Sequence, residues 1–281
     1  SEMCIRDSHC LPTDVTGEAN NGSVGVWTND GHGHGTHVAG TIAALDNTTG
    51  VVGVHPDMDL HIVKIFNDQG NWTAASDLIA AIQQCEDAGS NVVSMSLGGG
   101  APSSAEENAM DGFVAGGMML IAAAGNDGNS SMSYPASYDA VMSVAAVDSS
   151  ANVASFSQFN SQVEIAAPGV AVNSTLPNDT YAAWNGTSMA TPHVSGVAAL
   201  VWSHHLGCSN EQIRAAINAS SQDRGAAGRD NFYGWGIAKA LDAHNYLNSW
   251  GCAGDPDWPP TGGGGGGDPY EESYSNLSGS T

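Results

Sequence analysis

The sequence predicts an α/β fold in three layers, a mostly parallel central sheet with helices packed on both faces. From Leu60 onward, short apolar runs of strand length alternate with helical patterns, the order that βαβ units produce. The runs are continuously apolar, as strands covered on both faces require. Hydrophobic residues make up 41% of the 281 and charged residues 12%, enough apolar content for a core and too little charge for a disordered chain.

The elements follow in order. Residues 60–66 (LHIVKIF) form the first clear strand, and residues 74–88 (AASDLIAAIQQCEDA) an amphipathic helix. Residues 91–97 give the next strand, residues 104–115 a second amphipathic helix, and residues 118–124 (MMLIAAA) a strand. Residues 141–147 and 163–167 are further strands, rich in Val, Ile or Met. Residues 187–204 form a helix that is apolar nearly all round and therefore central. Residues 210–219 form another, capped by Ser209 with Gln212 three residues on.

Acidic residues number 29 against 6 Lys plus Arg, a net charge of −23. A field of that sign repels phosphate backbones and anionic lipid, which argues against nucleic-acid and membrane partners. No window is apolar for 18 residues, and no basic-then-apolar leader opens the chain.

Residues 1–10 (SEMCIRDSHC) fit no element around them and are set apart as non-native to the domain, which is assigned to residues 11–250. Residues 251–267 have linker composition, with prolines at 259 and 260 and six glycines at 262–267. Residues 268–281 resemble the opening of a further β-rich domain. The five cysteines form no CxxC pair. Cys208 and Cys252 either pair to pin the last helix or stay as isolated buried thiols.

Three segments place reactive or polar side chains beside glycines: Gly33-His34-Gly35-Thr36-His37-Val38-Ala39-Gly40, Ala122-Ala123-Ala124-Gly125-Asn126, and Asn185-Gly186-Thr187-Ser188-Met189-Ala190-Thr191-Pro192-His193. With SMSLGG, APGV and YGWGI in the same order, they resemble the active-site motifs of the subtilisin-like serine peptidases over about residues 11–246. The resemblance implies a serine endopeptidase that is secreted, works as a monomer on protein or peptide substrates, and carries a pro-segment outside this chain.

It also implies residue roles. Ser188 is the nucleophile, His37 the general base, and Asn126 the side-chain donor to the developing oxyanion, with Ser188 N–H at a helix start as the second donor. The family's aspartate lies about thirty residues before its histidine. Asp7 sits at that distance, but the alignment of Leu11-Pro12 puts the aspartate upstream of the chain and Cys10 where a second, calcium-binding aspartate belongs. Asp14 and Asp30 read as solvated loop acids. Ser94, Ser96, Leu97 and Gly98 present a strand edge to an extended substrate. Ser133 floors the pocket for the side chain before the scissile bond, with residues 122–124 as its walls. Calcium is expected in the loop 45–51, held by the Asn47 side chain and the carbonyls of Leu45, Thr49 and Val51.

Two other readings compete. A peptide-binding module on the same fold needs the groove without the chemistry. A metal-dependent hydrolase would use the His32, His34, His37 run, whose residue types suit zinc. His193 reads as a packed helix histidine.

Overall fold

The computed structural model describes residues 2–6, 15–21, 23–56, 58–70 and 75–258. The elements are β1 (Glu2–Arg6), β2 (Val15–Ala19), α1 (His34–Ala43), β3 (Asp59–Lys64), α2 (Ala75–Asp87), β4 (Val92–Met95), α3 (Ser104–Ala115), β5 (Met119–Ala123), β6 (Val141–Val147), β7 (Val163–Pro168), β8 (Val172–Leu176), β9 (Thr180–Trp184), α4 (Thr187–Ser203), α5 (Asn210–Ala219) and α6 (Ala240–Trp250). Every strand and helix expected from residue 60 onward is present within two residues of its expected ends.

The main sheet runs β2-β3-β1-β4-β5-β6-β7. Its pairs are parallel except for β1, which lies antiparallel to both β3 and β4. Residues 2–6 thus lie inside the sheet, whereas the sequence reading sets residues 1–10 apart from it and leaves the first strand missing. Their reversed direction is the sheet's one departure from parallel order. Antiparallel β8 and β9 form a separate hairpin, absent from the sequence reading.

Alternate side chains of β3 to β6 enter two cores, which makes the three layers. Val92, Met119 and Ile121 pack with Val38 and Ile42 of α1 and Val194 and Ala198 of α4. Val93, Leu120 and Ala122 pack with Leu78 and Ile82 of α2 and Met110 and Phe113 of α3. Helix α4 is buried for most of its length, as its all-round apolar pattern requires.

Two long-range ties close the domain. Cys208 and Cys252 form a disulfide with Cα atoms 5.2 Å apart across 44 residues of sequence, a loop whose closure removes about 4 kcal/mol of unfolded-chain entropy. Glu164, fully buried on β7, accepts from Arg214 Nε at 2.7 Å, from Asn218 Nδ2 at 2.7 Å, and from Arg214 Nη2. Burial raises a carboxyl pKa, but here Arg214 and then Asn218 outweigh it and hold Glu164 below its ordinary value.

The linker composition assigned from residue 251 does not describe its first part. Asp255 N–H donates to Tyr246 Oη at 2.6 Å, and the Trp258 ring lies 5.0 Å from that of Trp235. Residues 259–281 lie outside the described residues, as do Asp7, Cys10 and Asp14.

Candidate active site

Helix α4 starts on a turn that only glycine accommodates. Gly186 has φ of 154°, and a Cβ there would approach Ser188 N and Met189 Sδ at 3.6 Å and Asn126 Nδ2 at 3.8 Å. Ser188 is the second residue of the helix, where backbone N–H groups lack helical partners and the dipole is positive. Its carbonyl would normally accept from residue 192, but Pro192 has no N–H. Ser96 Oγ takes that place, donating to Ser188 O at 2.7 Å, while Ser188 Oγ donates back to Ser96 O at 3.3 Å.

Asn126 follows the end of β5, and Thr187 fixes its amide. Thr187 donates to Asn126 Oδ1 through both its N–H, at 2.8 Å, and its Oγ1, at 3.0 Å. Gly125 N–H donates to the same Oγ1 at 3.2 Å, and Thr187 is fully buried. With Oδ1 so engaged, the exposed amide presents Nδ2 beside the start of α4 as a free donor. Sequence reasoning does not single out Thr187. The indication is present nonetheless, because a hydroxyl at the first position of a buried helix needs a buried partner.

The two histidines of HGTH, of which the sequence reading takes His37 as the base, have different environments. His37 has no exposed surface, and its ring lies flat on Trp184 with centroids 4.7 Å apart and planes 2° from parallel. Nε2 faces the carbonyls of Val172 at 3.1 Å and Ala182 at 3.0 Å, so it carries the proton and donates to the hairpin. Nδ1 is buried without a partner, and the ring makes no hydrogen bond to Ser188. Two hydroxyls reinforce the attachment, Ser174 Oγ to His37 O at 2.7 Å and Thr175 Oγ1 to Thr36 O at 2.9 Å. His37 is therefore a fastener between α1 and the β8–β9 hairpin.

His34 begins α1, one turn earlier, and lines a cavity of about 190 Å³ together with Ser96, the hydrogen-bonding partner of Ser188. Burial is the main cause that lowers its pKa, to about 4, with His32 among the neighbouring charges that add to it. The ring is neutral at pH 7, the form a general base requires. His32, His34 and His37 pack around the Trp184 ring at 6.4, 6.3 and 4.7 Å and do not converge on one point. No group of three or more His, Cys, Asp or Glu side chains placed to hold a metal occurs among the described residues.

Asp30 is not the solvated acid expected. It accepts from Gly33 N–H and Thr36 N–H at 2.8 Å and from Thr36 Oγ1 at 2.7 Å, serving as the cap that Gly33 cannot supply. Although burial opposes it, these bonds lower the Asp30 pKa.

Of the expected substrate edge, Ser94 is misplaced. It is fully buried on β4, with Ser195 Oγ donating to its hydroxyl at 2.9 Å. β4 is paired on both sides, so an open edge begins only after Met95. Ser96 and Leu97 are buried there and Gly98 is exposed. A Cβ at Gly98 would meet Ser133 Oγ at 2.8 Å and Ala123 O at 3.7 Å, so Gly98, Ser133 and the end of β5 border one space.

Leu45, Asn47, Thr49 and Val51 line a single cavity of about 440 Å³. Asn47 Oδ1 accepts from Thr49 N–H at 2.8 Å, and Asp30, the one carboxylate in the lining, has both oxygens bonded to α1. Calcium takes six to eight oxygens and is held by carboxylates. The described donors are neutral and too few, so they do not fit a tight calcium site.

The described part of the chain carries a serine at a helix start, a clamped asparagine and a neutral histidine at one end of a parallel sheet. A family model for the subtilase family matches residues 12–236. The chain belongs to the subtilase family. This subtilase is 45% identical over 223 residues to subtilisin DY of Bacillus licheniformis, covering 78% of this chain and 80% of that protein. It is 46% identical over 213 residues to subtilisin BL of Lederbergia lenta, covering 76% and 78% respectively. Among solved structures it is similar to the psychrophilic subtilisin-like protease Apa1 from the Antarctic psychrotroph Pseudoalteromonas sp. AS-11. The TM-score is 0.81 at 34% identity, covering 86% of this chain and 90% of that one. The subtilase is a serine endopeptidase by family, and the peptide-binding and metal-hydrolase readings are not favoured.

Proposed function

We propose that this subtilase cleaves extended peptide segments of proteins by acyl transfer on Ser188, with His34 as general base and Asn126 Nδ2 and Ser188 N–H as oxyanion donors. The observation that carries this reading is the Thr187 clamp, which fixes the Asn126 donor before any substrate arrives.

Ser188 Oγ attacks the substrate carbonyl carbon as its proton passes to His34, and the carbonyl oxygen becomes negative between the two donors. His34 then gives the proton to the leaving amine. Water, activated by the same ring, releases the acyl group. In the free enzyme the Ser188 hydroxyl rests on Ser96 O. A peptide strand added along Ser96–Gly98 offers its own N–H to that carbonyl and frees the hydroxyl for His34.

The acid that orients the histidine is assigned to Asp7 or to a residue upstream of Ser1. The large negative charge and the Cys208–Cys252 disulfide support secretion, and no helix among the described residues is long and apolar enough to cross a membrane. A pro-segment and a monomeric state complete the proposal.

The experiment is treatment with a serine-directed phosphonylating reagent followed by peptide mapping. Modification confined to Ser188 with loss of peptidase activity is expected. Modification elsewhere, or activity that survives full modification, overturns the assignment.

A further inference from the structure

The end of α4 farthest from Ser188 carries a histidine cluster that the chemistry above does not use. His204 caps α4, His205 follows it, and His244 faces both from α6. His205 Nε2 and His244 Nδ1 lie 3.1 Å apart, with the rings tilted by 52°. The His204 ring stands edge-on to His244 at 5.4 Å, and all three side chains reach the surface.

The hydrogen bonds define the protonation of the pair. Asn248 Nδ2 donates to His244 Nε2 at 2.8 Å, so neutral His244 carries its proton on Nδ1 and donates it to the lone pair of His205 Nε2. Burial and then the neighbouring His244 and His204 lower the His205 pKa.

We propose that His205 and His244 form a binding site for a borderline divalent transition-metal ion of the zinc type, which tethers the end of α4 to α6. Two imidazole nitrogens bound to one ion at about 2.0–2.1 Å, near the tetrahedral angle, stand about 3.3–3.4 Å apart, slightly more than the 3.1 Å between His205 Nε2 and His244 Nδ1. The ion therefore takes the place of the shared proton after a small rotation of each ring. The His244 proton moves through solvent to Nε2, and the Asn248 amide turns so that Oδ1 accepts it, the outer-shell partner that metal-bound histidine favours. The proton count is unchanged. Water fills the remaining positions, and His204 is the neighbouring third ring. Imidazole ligands select zinc, copper or nickel over calcium and magnesium. Helix α4 spans 17 residues, about 25 Å, so the ion strengthens the fold without reaching Ser188.

The test uses the full chain carrying Ser188→Ala to prevent self-cleavage, with zinc chloride as the probe. Saturable binding below millimolar zinc is expected, with a rise in Tm of about 3–5 °C at roughly ten times Kd. The zinc-induced rise, rather than Tm itself, should vanish in His244→Ala and in His205→Ala and survive His32→Ala. Histidine 15N NMR on the unsubstituted pair gives an independent reading, with His205 Nε2 and His244 Nδ1 shifting on zinc addition. Zinc affinity unchanged by both substitutions, or no shift of those two nitrogens, overturns the site.

Discussion

Ser96 and Ser188 hold each other through two reciprocal hydrogen bonds, Ser96 Oγ to Ser188 O at 2.7 Å and Ser188 Oγ to Ser96 O at 3.3 Å. The first exists because Pro192 withdraws the helical donor from the Ser188 carbonyl. Ser96→Ala should therefore cost about 1 kcal/mol of stability. In a Pro192→Ala background, where a backbone N–H can take over, that cost should shrink. Urea unfolding of the four proteins in a double-mutant cycle measures the coupling, and strict additivity would disprove it.

The two histidines should separate by kinetics. His34→Ala should lower kcat by up to about 10⁶, a magnitude carried over from the base of subtilisin itself. His37→Ala should instead lower Tm while retaining measurable turnover. Because burial lowers the His34 pKa to about 4, the base stays neutral on acidification. Without the orienting carboxylate the acid limb of kcat/KM should then lie below the ordinary histidine value, and the carboxylate, where present, should raise it. A pH profile of both variants decides between them.

Asn126→Leu removes a donor needed only by the transition state, so kcat should fall with little change in KM. The size, on the order of 10²–10³, is again that of subtilisin. Thr187→Val should give a smaller fall in the same parameter by releasing the amide. Steady-state kinetics showing a change in KM alone would contradict both.

Specificity should favour large apolar or aromatic side chains before the scissile bond, since Ser133 and the end of β5 supply no charge. Ser133→Asp should turn the preference toward Lys and Arg. Profiling both proteins on a peptide library gives the answer directly.

Arg214→Met leaves buried Glu164 without its hydrogen-bonded guanidinium, with only the more distant charge of Arg229, and should cost about 3 kcal/mol. Since the folded pKa of Glu164 is depressed, its contribution is present above the unfolded glutamate value and lost as pH falls toward the folded one. Denaturant midpoints at pH 6 and pH 3 should converge in Glu164→Gln relative to the parent.

The loop 45–51 should bind calcium only weakly. A millimolar-class site at about 1 mM calcium contributes about 0.4 kcal/mol, or about 1–2 °C in Tm. Melting curves with calcium and with a chelator measure the difference.

The parallel sheet is legible in the sequence because continuous apolar runs of Val, Ile and Met have few other uses in a chain of this composition. The roles proposed for Ser188 and Asn126 are suggested in the sequence by their glycine neighbours. The proposed base is not, because His34 and His37 share one motif, and only the hairpin packed on α1 shows that the His37 ring is occupied. That hairpin (residues 172–184) has little apolar periodicity, so it leaves no strand pattern. Ser94 is misplaced by sequence because its run continues past the point where the sheet ends and the open edge begins.

The β8–β9 hairpin acts as a gauge between two helices far apart in the sequence. Its base is fastened to α1 through His37, and four residues after Trp184 the chain reaches Ser188. The distance from histidine to serine is thus set by a short stretch of backbone. Extra residues at the tip, where Asn178 and Asp179 already turn with positive φ, leave that distance alone. One residue added between Trp184 and Gly186 would move the nucleophile by a full residue's length. Loop grafting in this enzyme therefore has one permissive end and one closed end, only a few residues apart.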